Sequence, residues 1–227
     1  MRVLGSFLLA ALALQLHAAP SIGAANVSPM TAIIATPTQF TVQASITDPS
    51  LIPASVNLLQ LNPNGTTTTL GTLHDDGVNG DQTAGDQVLT LIVTLTAPAA
   101  TTIQLQVSAA FKGQLLRVRS SPLNLFFQPA NAPQQALASL SQILASGDRT
   151  TALNYVNPST NAISVINTYS QQALNFLASE LNAAVLVGSF PDLRIFDVPI
   201  TRADGTIVKS EFDMVPGING QWVINSW

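Results

Sequence analysis

Along the first half of the chain, apolar and polar positions alternate. Phe40, Val42, Ala44 and Ile46 interleave with Thr41, Gln43, Ser45 and Thr47, the period of a strand with one buried face and one wet face. A second run over 56–61 closes on Asn62-Pro63-Asn64-Gly65, residue types that favour a tight turn. Further runs at 66–73, 88–96, 101–111, 115–119 and 123–127 follow at short spacing with no helical period among them. This succession predicts an antiparallel β-sandwich over residues 26–128.

After Gln128-Pro129-Ala130-Asn131-Ala132-Pro133 the period lengthens. Leu137, Leu140 and Leu144 recur at helical spacing, Pro133 suits a first helical turn, and Gly147 suits a helix end. Asp148 can cap the next helix. Asn157-Pro158-Ser159 interrupts the chain before one longer helix, whose stripe is Ile163, Ile166, Leu174, Leu177 and Leu181. Three strands, 193–200, 207–215 and 221–227, complete the pattern, with turns at Ala203-Asp204-Gly205 and 216–220. The expectation is a linker at 129–133 and an α+β domain over 134–227, each domain folding as an independent unit.

The N-terminus follows neither period. Met1 and Arg2 precede an apolar run from Val3 to Leu16, and small residues follow up to Ala25. This is the order of a signal peptide, with cleavage expected after Ala18 or Ala25, and residues 1–25 are read as a leader. The run is shorter than the roughly 20 apolar residues a bilayer requires, so the mature chain is expected to have no transmembrane segment and to be secreted, periplasmic or at the cell surface. The chain has no Cys, which removes disulfides, thiolate metal sites and a lipidated cysteine anchor together. A net charge of -4 with eight Lys and Arg argues against nucleic acid, whose phosphates need a basic face.

Four of the twelve acidic residues fall between His74 and Asp86, in Asp75-Asp76-Gly77-Val78-Asn79-Gly80-Asp81-Gln82-Thr83-Ala84-Gly85-Asp86, with no basic residue in the span. Like charges 4 Å apart repel by about 1 kcal/mol in bulk water and by more where water is partly excluded. A cation relieves that repulsion. Carboxylate and amide oxygens are the hard donors Ca²⁺ prefers, and glycines let backbone carbonyls complete six to eight ligands. The candidate ligands are Asp75, Asp76, Asn79, Asp81 and Asp86. The spacing differs from an EF-hand, which needs a Glu at its last position and flanking helices. A solvated hairpin connection is the alternative, and His74 is read as a strand-end residue.

Catalytic chemistry has little to draw on. The chain past the leader holds one His and two Glu, Glu180 and Glu211, and His74 lies among the acidic residues of the loop. A cavity lined by Asp192, Asp197, Tyr155 and Tyr169 would offer a general base and hydroxyl donors, the one route to a small-molecule-binding, isomerase or hydrolase-type activity. Asp197 alternates with Phe196, Val198 and Ile200 and is expected to face water. Trp222 and Trp227 are read as core or edge residues.

Two resemblances follow from these motifs. The stretch from about Asn26 to Gln128 resembles the immunoglobulin-like choice-of-anchor domains of exported bacterial proteins through Asp48-Pro-Ser-Leu-Ile-Pro-Ala-Ser-Val-Asn-Leu, Leu73-His-Asp-Asp-Gly, Gly80-Asp-Gln-Thr-Ala-Gly-Asp and Val107-Ser-Ala-Ala-Phe-Lys-Gly. It departs from them at Gln87 and at Leu89-Thr90, where that family carries Gly and an aromatic strand start. The C-terminal part is similar to nuclear-transport-factor-2-like domains in the Ala145 to Asp148 turn, the Ala152 to Tyr155 segment and Gly220-Gln-Trp-Val-Ile. The first resemblance points to surface and secreted modules and implies no enzymatic activity, and a protein or the cell envelope is the expected partner.

Overall fold

The computed structural model describes residues 19–202 and 204–226. The apolar run of the expected leader and the side chain of Trp227 lie outside the described residues.

Nine strands build the N-terminal unit: β1 (Ala25–Ser28), β2 (Thr31–Ile33), β3 (Thr38–Ser45), β4 (Asn57–Leu61), β5 (Thr67–Thr72), β6 (Val88–Leu95), β7 (Thr101–Ala109), β8 (Val118–Arg119) and β9 (Leu123–Gln128). They form one sheet in the order β1-β3-β6 and another in the order β2-β9-β7-β4-β5, with β8 attached to β7. Phe40, Val42 and Ala44 of β3 meet Leu58 of β4, Leu105 and Val107 of β7 and Leu125 and Phe127 of β9 in one buried cluster. The Phe40 and Phe127 rings, one from each sheet, lie edge to face with centroids 5.9 Å apart. Two sheets closing on one core make a β-sandwich.

Three features differ from the expectation. Strand β2 runs parallel to β9, so the sandwich is not wholly antiparallel. The chain leaves β1 at the edge of one sheet, crosses at Pro29-Met30 and joins the edge of the other, arriving alongside β9 in the same direction. The run expected at 115–119 contributes only Val118 and Arg119 as strand. A turn with Gly113 at φ 80° and a hydrogen bond from Gln114 N–H to Phe111 O places 115–117 outside the ladder. The sandwich also starts before residue 26: Gly23 N–H donates to Ser45 O at 2.8 Å, and Ala25 pairs with Ala44.

The C-terminal unit comprises α1 (Ala132–Ser146), α2 (Arg149–Ala152), α3 (Ala162–Thr168), α4 (Gln171–Asn182), then β10 (Val185–Phe190), β11 (Leu193–Thr201), β12 (Ile207–Pro216) and β13 (Trp222–Ser226). Gly147 ends α1 with φ 82°, and Asp148 caps α2 by accepting the Thr151 N–H at 3.0 Å. The single long helix expected after Pro158 is two, because Tyr169 and Ser170 take extended conformations and the Ser170 hydroxyl caps α4 through the Ala173 N–H. The strands form an antiparallel meander in sequence order. Edge strand β10 was not expected: its burial alternates, with Leu186 packed on the core, but Val185 and Val187 put apolar residues on the exposed face as well, so the sequence shows no apolar–polar alternation there. Leu137, Leu140 and Leu144 of α1 and Leu174, Ala178 and Leu181 of α4 join Phe196, Val198, Phe212, Met214, Trp222 and Ile224 of the sheet in one core. This is an α+β arrangement.

The connection is shorter than the expected 129–133, since α1 begins at Ala132 and Pro133 is buried. Nor do the units stand apart. Asp192, in the turn between β10 and β11, accepts the Thr31 N–H at 2.8 Å, the Thr31 hydroxyl at 2.7 Å and the Met30 N–H. Gln128 donates to Gly220 O at 2.5 Å and accepts the Trp222 indole N–H at 2.9 Å. Register places these contacts at one end of the sandwich, where Phe127 pairs with Thr101. At the other end Ser45 pairs with Val88, and Asn57 pairs with both Thr72 and Ser108, so the loops 46–56, 73–87 and 110–117 gather there.

Candidate metal centre

The acidic loop links the last residues of β5 to the first of β6, crossing from one sheet to the other. His74 opens it as a strand-end residue, exchanging both backbone hydrogen bonds with Thr90 at 3.0 and 2.7 Å. Between these anchors the backbone turns through positive φ at Gly77, Asn79, Gly80, Gly85 and Gln87. Gly80 has a steric requirement as well, because a Cβ there would stand 2.6 Å from Ile92 Cδ1.

The folded loop brings together Asp75, Asp81 and Asp86, one carboxylate oxygen of each lying within 4.8 Å of the others. Asp75 bridges the loop by accepting N–H bonds from Gly85 at 2.6 Å, Asp86 at 3.2 Å and Gln87 at 3.0 Å. Asp81 is only 7% exposed and accepts the Gly77 N–H at 2.6 Å. Asp86 Oδ1 accepts from Val88 N–H at 2.9 Å. Of the other two candidates, Asp76 is outside this group of carboxylates and turns its Oδ1 to the Val78 N–H at 3.1 Å. Asn79 occupies a left-handed turn position at φ 53°.

Backbone N–H groups offset part of the charge on these carboxylates, and the loop contains no cationic side chain. A nearly buried carboxylate beside two others carries a mutual repulsion that a bound cation would relieve. All three offer hard oxygens, which suits a divalent cation with loop carbonyls or water completing the shell.

The residues considered for catalysis do not converge. Asp192 is engaged with Met30 and Thr31, and Asp197 pairs with Lys209 at 3.0 Å across the β11–β12 ladder. Tyr169 is exposed at the end of α3, while Tyr155 packs against the C-terminal core. A cleft of about 280 Å³ lies between the two units, lined in part by Thr31, Pro133, Phe190, Asp192, Arg194 and Trp222. Sequence reasoning did not find it, since it joins residues of both domains. Its polar groups serve the structure: Arg194 donates to Leu193 O at 2.9 Å and to Phe190 O, and its guanidinium lies 4.9 Å from the Trp222 ring centroid. Burial lowers the Arg194 pKa from its ordinary value, partly countered by the Asp192 charge. A comparison with known proteins finds no matching family model and no matching curated protein.

Proposed function

We propose that this is an exported, non-catalytic interaction or structural protein, secreted, periplasmic or at the cell surface, whose sandwich is fastened at one end by Ca²⁺. The observation that carries this reading is the convergence of Asp75, Asp81 and Asp86 in a loop with no basic residue. The N-terminal unit is read as an immunoglobulin-like domain of the choice-of-anchor kind, supported by two sheets around one core and an acidic loop that crosses between them. The C-terminal unit is read as nuclear-transport-factor-2-like, supported by helices that precede an antiparallel sheet and share one core with it. Among the described residues no helix is long and apolar enough to cross a membrane. The basic start and apolar run of residues 1–18 support export, with a protein or envelope partner.

A cation that binds only the folded form stabilises it by RT ln(1 + [L]/Kd), about 2.7 kcal/mol at 100 Kd. Extracellular calcium modules bind at about 10⁻⁴ to 10⁻³ M, so millimolar Ca²⁺ is expected to raise the melting temperature of the sandwich and a chelator to lower it. Magnesium at equal ionic strength controls for screening. Asp81→Ala is expected to abolish the calcium response, and Asp76→Ala, outside the cluster, to retain it. Identical melting in calcium, magnesium and chelator would remove the cation from the reading.

A further inference from the structure

We propose that the loop between β7 and β8 is a membrane-docking tip that places Leu115 and Leu116 in the acyl boundary of an anionic lipid bilayer. Single exposed leucines are ordinary, but here two adjacent leucines are 103% and 82% exposed. Lys112, Arg117 and Arg119 flank them, three of the chain's eight Lys and Arg within eight residues, and no acidic residue lies between 112 and 119. An apolar tip with Lys112 and Arg119 exposed beside it matches the layering of an anionic bilayer, headgroup phosphates outside and acyl chains within. Arg117 is turned into the base, and Asp48 lines the same hollow as Lys112.

The tip is held rigidly from below. Phe111 is buried as its anchor, and the pairs Ser108↔Arg119 and Ala109↔Val118 close its base. Arg117 braces the base, its Nε donating to Ser108 Oγ at 2.8 Å and Nη2 to Ser108 O at 2.8 Å and to Ser55 O. The side chains of Lys112 and Arg119 are exposed. The loop lies at the end of the sandwich away from the C-terminal unit, so that unit does not block its approach to a surface. The acidic loop shares this end but leaves from β5, two strands from β7, about 10 Å away at roughly 4.8 Å per strand. Its carboxylates face the same surface as the tip and oppose its attraction to an anionic bilayer, an opposition that added salt weakens.

The inference specifies the envelope partner of the proposed function and rests on export only for where the chain meets a membrane. Vesicle binding by the purified protein tests the tip separately. The chain from Ala19 onward is used, because the apolar run of the leader would itself enter lipid. In chelator, which keeps the result independent of any cation, this protein is expected to cosediment with vesicles of phosphatidylcholine containing about 30% phosphatidylglycerol, and far less with pure phosphatidylcholine. Leu115→Ser and Leu116→Ser are each expected to lower the partition coefficient about tenfold, and Lys112→Gln and Arg119→Gln about fivefold each. Salt at about 0.5 M is expected to erase the effect of the charge variants and leave that of the leucine variants. The leucine variants should melt as the wild type does. Failure of the wild type to cosediment, or cosedimentation undiminished in the double leucine variant, would overturn the proposal. So would a dimer in lipid-free solution that dissociates in that variant while vesicles are ignored, which would assign the tip to a second copy of the chain.

Discussion

At the scale of single residues, short polar side chains set the boundaries that hydrophobic period leaves open. Asp148 accepts the Thr151 hydroxyl at 2.6 Å and the Thr151 N–H at 3.0 Å, and these bonds, the hydroxyl first, hold its pKa below the ordinary 3.8. A carboxylate with a depressed folded-state pKa contributes stability that is full above its unfolded value and is lost as pH falls through the folded one. The wild type is therefore expected to melt above Asp148→Ala at neutral pH, with the gap closing only below about pH 4. Thermal melts across that range check it. A gap that persists below about pH 2 would mean that the alanine disturbs α2 by another route. Sequence pointed to Asp148 because Gly147 precedes it, a local signal. It could not point in the same way to Asp192, whose partners Met30 and Thr31 lie about 160 positions earlier.

At the scale of elements, legibility followed burial. Strand β3 was readable because every second residue is buried, Phe40, Val42 and Ala44, and the helix breaks were readable at Gly147 and Pro158 because those residues disfavour helix continuation. Strand β10 was not, because it is an edge with apolar residues on both faces, and the split between α3 and α4 was masked by an apolar stripe that continues across Ser170. Within the acidic loop, composition identified the segment, but Asp75, Asp76, Asn79, Asp81 and Asp86 were alike until the turns at Gly77 and Gly85 sorted them. Strand β1 was hidden because its small residues extend the expected leader exit. Its pairing bears on where a leader can be cut: removal after Ala25 would discard the Ala25↔Ala44 pair, the Gly23 to Ser45 bond and the contact of Ile22 with the core. Cleavage after Ala18 keeps all three. If the protein is exported as proposed, mass spectrometry of the processed chain is expected to find Ala19 first, and a chain begun at Asn26 is expected to lose about 2 kcal/mol of stability by chemical denaturation.

At the scale of the whole molecule, the change of period near Pro129 marks a boundary of fold class that hydrogen bonds cross. Each unit has its own core, yet Gln128, the last residue of β9, is bonded to both Gly220 and Trp222 of the second unit. Gly220 packs tightly at the junction: a Cβ there would stand 2.4 Å from two atoms of the Phe126 ring, and its φ of 79° already disfavours any other residue. Gly220→Ala would force the second unit away from β9, loosening the two Gln128 bonds and with them the Asp192 contacts to Met30 and Thr31. Overpacking of this kind typically costs about 1–3 kcal/mol, and the left-handed backbone adds to it. The two cores themselves are untouched by the substitution. The wild type is therefore expected to unfold in one calorimetric transition and to resist proteolysis between Pro129 and Asn131, whereas Gly220→Ala is expected to show two transitions and early cleavage there. Calcium should then shift only the transition of the sandwich, because Asp75, Asp81 and Asp86 lie at the end remote from the junction. Two transitions already present in the wild type would mean that the Gln128 and Asp192 contacts hold the units in place without coupling their stability.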